Sequence, residues 1–360
     1  MRRILQTLAV LAALALGAGA AVVFGGLYNV SARLGHWPVT RWALHTTFRN
    51  SVELWSHPAS AVPPLTDEMA RLGARHFDGA CRTCHGAPGE QRSWTIRSMV
   101  PVPPPIEDAV RDWEPNHLHW IVHQGVKMSG MPHWPSVRED EVWTVVAFLT
   151  RVQEGMDAAA YARLTAAAEG EGPPGLGYCA GCHGLDGRSG NPLIPRLDLQ
   201  DEGYLAQAIG SFLDRSRESG IMAHAASAVP AEALPALVAY FAALPPAPEA
   251  HPVDAALAAQ GEALAHAATD DPEVPACAAC HGPRRAGARA AAPEHVGPVL
   301  AGQYEAYLAR QLHLWRQGIR GGGPRANLMR QAAEHLEDDD IAALAAYFAG
   351  LDPREQEAAP

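Results

Sequence analysis

The residues of this chain best suited to chemistry are its cysteines, which all lie in three copies of the pattern Cys-x-x-Cys-His. The copies occupy residues 81–85, 179–183 and 277–281 and account for all 6 cysteines. In this spacing two thiols add to the vinyl groups of one porphyrin, and the adjacent histidine reaches the iron. We therefore predict three covalently bound haem c groups. The predicted attachment residues are Cys81, Cys84, Cys179, Cys182, Cys277 and Cys280, and the predicted proximal iron ligands are His85, His183 and His281.

The even spacing of the motifs indicates an internal repeat. Their first cysteines lie at positions 81, 179 and 277, so each follows the previous one by 98 residues. A fixed period of this size is typical of a repeated structural unit. A lone Cys-x-x-Cys also occurs in thioredoxin-like redox pairs and in zinc sites. The sequence lacks the β-branched strand segments expected of a thioredoxin-like protein. It also lacks the second, closely spaced cysteine pair that a zinc site needs.

The iron of each predicted haem needs a ligand on its other face, and methionine is our choice. A thioether favours ferrous iron and raises the reduction potential. Met222 is the only methionine between the second and third motifs, and Met329 is the only one after the third. They lie 39 and 48 residues after their motif histidines.

The first repeat offers several methionines. We predict Met131, with Met128 as the alternative, because Met131 lies 46 residues after His85 and in the pattern Gly-Met-Pro-His. Histidines are rival ligands in every repeat: His123, His133, His224 and His335. Loop prolines such as Pro195 and Pro298 could turn a carbonyl toward the proximal histidine and fix its ring, or they could be ordinary loop residues.

Each repeat needs helices to position these residues. Apolar residues recur at three- and four-residue steps, which predicts core-facing helices that close the repeats at 141–152, 233–244 and 338–351. Helices leading into the motifs are predicted at 66–78 and 255–268. In the second repeat the segment 170–175, rich in glycine and proline, interrupts the expected approach helix.

Composition and the N-terminus bound the class of protein. A net charge of −11 argues against a nucleic-acid partner. An apolar run from Ile4 to about Tyr28 follows Arg2 and Arg3 and is long enough to span a bilayer. We predict an uncleaved transmembrane anchor, with a cleaved signal peptide as the alternative. Either reading places the body of the chain outside the cytoplasm.

The predicted domain plan is an anchor or signal peptide at 1–30, an irregular linker at 31–62, and three haem domains at 63–155, 159–247 and 248–353. The linker carries Trp37, Trp42 and Trp55, which could pack on the first domain or dock a partner. The predicted fold class is all-α, with three tandem domains after the N-terminal helix.

These motifs resemble the class I cytochromes c, repeated three times over roughly residues 65–352. Residues 160–352 resemble the dihaem cytochromes of the c-four type, especially in the segments 274–282 and 300–316. The first repeat is similar to monohaem domains through its Gly-x-Lys-Met-x-Gly-Met-Pro segment. The resemblance implies a mostly helical fold, His–Met haem coordination and single-electron transfer. In layout the chain is similar to the trihaem cytochrome subunits of membrane-bound dehydrogenases.

The resulting functional prediction is a trihaem electron carrier, not an enzyme, with no catalytic side chains. It is expected on the periplasmic face of the bacterial inner membrane, within a respiratory chain. Expected partners are a quinol-oxidising complex, a terminal oxidase or a dehydrogenase subunit. One alternative is the cytochrome subunit of a membrane-bound dehydrogenase complex, which passes substrate electrons to quinone or an oxidase. A multihaem peroxidase is the third reading.

Overall fold

The computed structural model describes residues 1–247, 252–267, 276–281 and 297–354. Within these ranges the chain consists of helices and connecting loops, with no β-strand. The fold is therefore all-α, as the sequence predicts.

The N-terminal helix, α1 (Arg2–Phe24), is 23 residues long and buries none of its side chains. At 1.5 Å per residue its length is about 35 Å, enough to cross the hydrocarbon core of a bilayer. Among the described residues it is the one unbroken helix with the length and apolar composition of a membrane span. A signal sequence has the same properties.

The linker contains a second helix, α2 (Pro38–Trp55), where we expected irregular structure. Val52 is fully buried, and α2 contacts a helix of the first repeat. The ring of Phe48 meets that of Trp113 edge-on at 5.6 Å. The expectation of an irregular segment is wrong because these contacts stabilise a helix whose valines, threonines and aromatic residues have modest intrinsic helix propensity.

The first repeat surrounds one hydrophobic core. Its helices are α3 (Asp67–Ala80), α4 (Arg82–His85), α5 (Trp94–Arg97), α6 (Ile106–Val110), α7 (Pro115–Gln124), α8 (Glu139–Gln153) and α9 (Ala158–Thr165). The core centres on Phe77 of α3 and Phe148 of α8, whose rings lie 5.0 Å apart. Tyr161 of α9 packs on both rings. Helix α9 therefore packs on the first core, although its residues lie almost wholly in the range predicted for the second domain.

The second and third repeats each have a core of their own. The second contains α10 (Leu176–His183), α11 (Glu202–Leu213), α12 (Gly220–Ala228), a 3-10 turn (Ala231–Ala233) and α13 (Leu234–Ala242). The third contains α14 (Ala255–His266), α15 (Cys277–His281), α16 (Glu305–Arg316), α17 (Ala326–Ala333) and α18 (Asp338–Gly350).

The predicted closing helices correspond to α8, α13 and α18, and the predicted approach helices correspond to α3 and α14. The approach helix of the third repeat was predicted to end at Ala268, which lies outside the described residues. Approach and closing helices cross at a glycine in both outer repeats. A Cβ at Gly73 would lie 2.0 Å from the carbonyl oxygen of Thr144, and a Cβ at Gly261 would lie 2.0 Å from that of Ala343. Only glycine allows the two backbones to approach this closely.

Candidate functional site

Each Cys-x-x-Cys-His motif lies on a short helix that ends at its histidine. The helices α4, α10 and α15 all have histidine as their last residue. The following glycines, Gly86 and Gly184, have φ of 70° and 78°, a conformation that favours glycine. The chain therefore turns away directly after the histidine. The equivalent Gly282 lies outside the described residues.

The cysteine thiols are held in apolar surroundings and form no disulfide. Burial, with a smaller contribution from the second cysteine of the motif, raises the pKa of Cys81 to about 12 and that of Cys179 to about 11. Burial also raises the pKa of Cys182 and Cys277. Redox pairs of the thioredoxin type lower the pKa of the attacking thiol, so these thiols do not have that character.

Each of the three motif histidines forms the same kind of hydrogen bond, from its Nδ1 to the carbonyl oxygen of a proline. The pairs are His85 with Pro104 at 2.9 Å, His183 with Pro195 at 3.1 Å and His281 with Pro298 at 3.0 Å. A carbonyl oxygen only accepts, so Nδ1 carries the proton and Nε2 is left with its lone pair for a metal. Of the two alternatives left open for Pro195 and Pro298, the structure shows the one in which the carbonyl faces the motif histidine. Pro104 is the equivalent that sequence reasoning missed.

Burial favours the neutral form of two of these histidines, His85 and His183. Burial is the largest influence on His85 and His183 and lowers the pKa of both rings, against the opposing effect of the proline carbonyls. Neutral imidazole is the form that ligates metals. The electrostatics of these sites therefore suit the predicted proximal role.

The predicted methionine ligands differ in how directly the structure places them beside their histidines. Met329 Sδ lies 3.5 Å from His281 Nε2. Met222 lies in α12 and lines the same cavity as His183. Met131 is partly buried in the loop between α7 and α8, whereas Met128 is 88% exposed, which favours Met131 over Met128.

The rival histidines have other surroundings. His335 is 91% exposed in its side chain, and His133 Nδ1 lies 2.7 Å from the carbonyl oxygen of Trp134. His224 packs edge-on against His76, with ring centroids 5.4 Å apart. His123 lies beside His119, at 5.7 Å between ring centroids.

A single cavity of about 630 Å³ joins the second and third motifs. It is lined by all four of their cysteines, by both of their histidines, and by Met222 and Met329. Apolar side chains from both cores complete most of the wall. Its size and lining suit a large apolar ligand.

Two arginines line the same cavity, Arg217, which is buried, and Arg320, which is partly buried. Arg217 donates to the hydroxyl of Tyr307 at 3.1 Å and to Gln311 at 3.2 Å, and Arg320 donates to the same Gln311 oxygen at 2.6 Å. Burial, together with the neighbouring Arg217, lowers the pKa of Arg320 to about 10. These paired cations create a positive region suited to carboxylate groups. Sequence reasoning missed them because nothing local marks one arginine among many.

The second and third repeats meet through a pair of glutamines, here called the glutamine interface. Gln303 Nε2 donates to the carbonyl of Arg196 at 3.1 Å, and Gln303 Oε1 accepts from the Arg196 N–H at 2.9 Å. Gln200 makes the same two bonds with Val299, at 2.8 and 3.1 Å. Each glutamine follows its repeat's histidine-bonding proline by five residues, so the interface is reciprocal. That repeated spacing was the available sequence signal.

The first repeat meets the second through a buried carboxylate, here called the glutamate junction. Glu141, 3% exposed, accepts from the hydroxyl of Ser219 and from the backbone N–H groups of Gly220 at 2.7 Å and Ile221 at 3.3 Å. Arg138 pairs with it at 2.8 Å. A carboxylate is favoured at a helix N-terminus, and this helix is α12, which carries the predicted Met222 ligand.

An aromatic contact lies beside the glutamate junction. The ring of His76 packs on Trp134 at 4.7 Å between centroids, besides its contact with His224. Burial, and then His224, lowers the pKa of His76 to about 3. The third repeat also reaches this region, where Arg310 Nε lies 3.5 Å from a carboxylate oxygen of Asp140.

Sequence comparison relates the chain to haem proteins. Residues 68–149 match the family described as cytochrome C oxidase, cbb3-type, subunit III, and residues 258–352 match the cytochrome c family. The chain is 35% identical over 190 residues to the thiosulfate dehydrogenase electron acceptor of Stutzerimonas stutzeri, which covers 52% of this chain and 85% of the relative. It is 34% identical to cytochrome c4 of Pseudomonas aeruginosa, over 55% of this chain and 94% of the relative. The solved structure of reduced cytochrome c4 from Pseudomonas stutzeri matches with 32% identity, over 48% of this chain and 93% of that one, at a TM-score of 0.41.

Proposed function

Since the chain belongs to the multihaem class I cytochromes c, with a segment like the dihaem cytochrome c4, we propose that it is a membrane-anchored periplasmic trihaem cytochrome. It carries single electrons between respiratory partners. The observation that supports this most is the histidine–proline hydrogen bond present at all three motifs. A tautomer fixed in this way presents Nε2 to iron at each site.

The proposed ligand set follows from the motifs. Two thioether bonds from each cysteine pair hold a porphyrin, and the motif histidine and one methionine ligate its iron. The proposed ligand pairs are His85 with Met131, His183 with Met222, and His281 with Met329. In the third repeat His281 Nε2 and Met329 Sδ lie 3.5 Å apart, so these two atoms would be placed to hold one iron together.

Haem supplies one-electron exchange, and the chain supplies binding and orientation. The proline carbonyls fix the histidine rings, and the apolar cavity shields the second and third sites from water. The guanidinium groups of Arg217 and Arg320 line that cavity and would pair with propionate carboxylates. Helix α1 would keep the carrier beside membrane-bound donors and acceptors.

Haem counting tests the cofactor part of the proposal. The matured protein should give three haems per chain in a pyridine haemochrome assay of denatured material. A redox titration should fit three one-electron steps. A count below three in fully matured protein would overturn the proposal.

The axial methionines are tested by variants of single residues. M131A, M222A and M329A should each remove about one third of the weak far-red absorption band that methionine-ligated ferric haem shows. M128A is the matched control and should keep the full band, because Met128 is largely exposed. Loss of the band in M128A and its retention in M131A would exchange the two assignments.

Membrane anchoring is tested on the native protein. We expect it to stay in the membrane fraction after an alkaline carbonate wash, with an N-terminus that retains α1. A mature N-terminus after Ala20, together with release into the soluble periplasm, would show that the helix is a cleaved signal sequence.

A second candidate function is the electron-accepting subunit of a dehydrogenase complex. It is favoured by two relatives named thiosulfate dehydrogenase electron acceptor, at 35% and 36% identity. On this reading the chain takes electrons from a catalytic partner and passes them to quinone or an oxidase. Rapid reduction of the oxidised protein by a thiosulfate dehydrogenase plus thiosulfate, but not by thiosulfate alone, would support it. Purification as a free cytochrome without such reduction would count against it.

A further inference from the structure

One peptide group links each proximal histidine to a side chain of the other repeat. The carbonyl of Pro195 accepts from His183 Nδ1, and the N–H of the same peptide, which belongs to Arg196, donates to Gln303 Oε1. A hydrogen-bonded chain therefore runs from the histidine of the second repeat, through one peptide, to a glutamine of the third.

The reverse link has the same geometry. The carbonyl of Pro298 accepts from His281 Nδ1, and the N–H of Val299 in that peptide donates to Gln200 Oε1. The two series of hydrogen bonds have similar lengths. The histidine–carbonyl bond is 3.1 Å in one and 3.0 Å in the other, and the N–H–glutamine bond is 2.9 Å in one and 3.1 Å in the other. Each repeat thus supplies the glutamine that ends the series starting at the other repeat's histidine.

We propose that Gln303 tunes the reduction potential of the haem ligated by His183, and that Gln200 tunes that of the haem ligated by His281. The two glutamines are positioning residues that act through a peptide group, without touching a haem ligand. The inference rests on the proposed haem ligation. It adds a reciprocal influence of each repeat on the iron of the other.

The physical basis is cooperativity between hydrogen bonds in series. An acceptor on the peptide N–H polarises that peptide and makes its carbonyl a stronger acceptor, in condensed phase by perhaps 10–30% per bond. A stronger acceptor draws the Nδ1 proton and makes the imidazole a better electron donor to its metal. Ferric iron is then favoured, so the glutamine lowers the potential of the haem in the other repeat.

The first repeat supplies an internal reference. Its histidine-bonding residue, Pro104, is followed by Pro105, whose nitrogen carries no hydrogen. The residue five positions after Pro104 is Ala109, which has no amide group. The peptide beside His85 therefore cannot join such a chain, and its haem should not respond to either glutamine.

The test is a potentiometric titration of the full-length holoprotein with Q303L and Q200L. We expect Q303L to shift the ferric–ferrous equilibrium of the His183 haem at least threefold toward ferrous, about 28 mV upward at 59 mV per tenfold change. Q200L should do the same to the His281 haem. The M222A and M329A variants identify which titration step belongs to which haem. The step of the His85 haem should stay in place.

A matched control separates tuning from a loosened interface. Tyr304 of the third repeat donates its hydroxyl to the carbonyl oxygen of Ser189 in the second repeat, and Ser189 belongs to neither proline-containing peptide. Y304F removes this bond across the interface and should leave all three steps within twofold of wild type. A second readout is the NMR signal of the His183 Nδ1 proton in the reduced protein, which should move upfield in Q303L because its hydrogen bond weakens.

Four outcomes would overturn the inference: a shift in the His183 haem of less than twofold, a downward shift, an equal shift in the haem of the glutamine's own repeat, or an equal effect of Y304F. If Q303L fails to mature, Q303E keeps an acceptor oxygen for the Arg196 N–H. It should lower the potential of the His183 haem more than that of the other two. Three haems with unchanged potentials would reject only this inference, whereas fewer than three would reject the proposed function.

Discussion

The second repeat has two neighbours in the chain and meets them in different ways. Toward the third repeat it uses the glutamine interface, in which uncharged amides bond backbone groups reciprocally. Toward the first it uses the glutamate junction, in which one carboxylate of the first repeat caps a helix of the second. Repeats with the same haem motif are therefore joined by unrelated chemistry. The glutamine interface depends on a few positions. In the first repeat Pro105 stands where the other repeats have a residue with a backbone N–H, and Ala109 stands where they have glutamine, so the first repeat cannot form this interface.

Removing the carboxylate of the glutamate junction should have the largest effect. E141A leaves Arg138 buried without this partner and the first turn of α12 without its acceptor. Arg138 keeps its ion pair with Asp140, but the hydroxyl of Ser219 and the N–H groups of Gly220 and Ile221 lose their buried acceptor. A buried donor left unsatisfied costs about 1–3 kcal/mol, and E141A leaves several. We expect this loss of stability in the calorimetric unfolding of the first two repeats, together with faster hydrogen exchange at Gly220 and Ile221.

The matched control is E154A, at the other end of the same helix region. Glu154 pairs with Arg151 at the surface, where both side chains are more than a third exposed. Surface pairs contribute about 0–1 kcal/mol. If E141A cost no more than E154A, the junction would be peripheral and the contrast between the two contacts would disappear.

A steric change at the same place should have the next largest effect. A Cβ at Gly220 would lie 2.4 Å from the indole ring of Trp134. Overpacking of this kind costs about 1–3 kcal/mol, so G220A should lower the unfolding temperature and leave the glutamine interface intact. G210A is the control, because a Cβ there meets nothing within 4 Å. Equal destabilisation by both variants would show that the contact with Trp134 is loose.

Mild acid should weaken the contact between the first two repeats. The pKa of His76 is about 3 in the folded chain against 6.5 for a free histidine. The contribution of His76 to the free energy of unfolding is therefore complete above pH 6.5. It declines as the pH falls, because only the unfolded chain takes up the proton, and the decrease reaches about 2 kcal/mol at pH 5.

Urea unfolding of the first repeat at pH 7.5 and pH 5.0 measures this decline. H76F, which cannot be protonated, should remove about 2 kcal/mol of the difference between the two pH values. An unchanged difference in H76F would assign the acid sensitivity to other groups.

The smallest effect should come from a single neutral donor. Ser136 donates its hydroxyl to Glu218 at 2.8 Å across the same two repeats. Loss of one such bond to a charged acceptor costs about 1.5–3 kcal/mol. S136A should therefore lower the unfolding free energy by about 1.5 kcal/mol, at the low end of that range because only one donor is lost, with no change in the spectra of the haems. A loss comparable with that of E141A would mean that the contact depends on many small terms and not on one carboxylate.

The sequence predicted what is local and repeated. Helices α3, α8, α14 and α18 follow from apolar periodicity, and the acceptors of His183 and His281 follow from prolines in the loops. It did not predict Glu141 or the two glutamines, because the groups they join lie 78–107 residues apart in the chain. Nothing in the residues around such a group records its distant partner. Helix α2 was missed for the same reason, since the first repeat stabilises it.

Helix α9 has a practical consequence for anyone who isolates the first repeat. It lies beyond residue 155, where the sequence repeat ends, yet Tyr161 covers Phe77 and Phe148 and its hydroxyl donates to Asp78 at 2.7 Å. A recombinant fragment that stops at 155 would leave these rings open to water and would be prone to aggregation. A fragment that extends through Thr165 keeps Tyr161 over these rings and should stay soluble as an isolated domain.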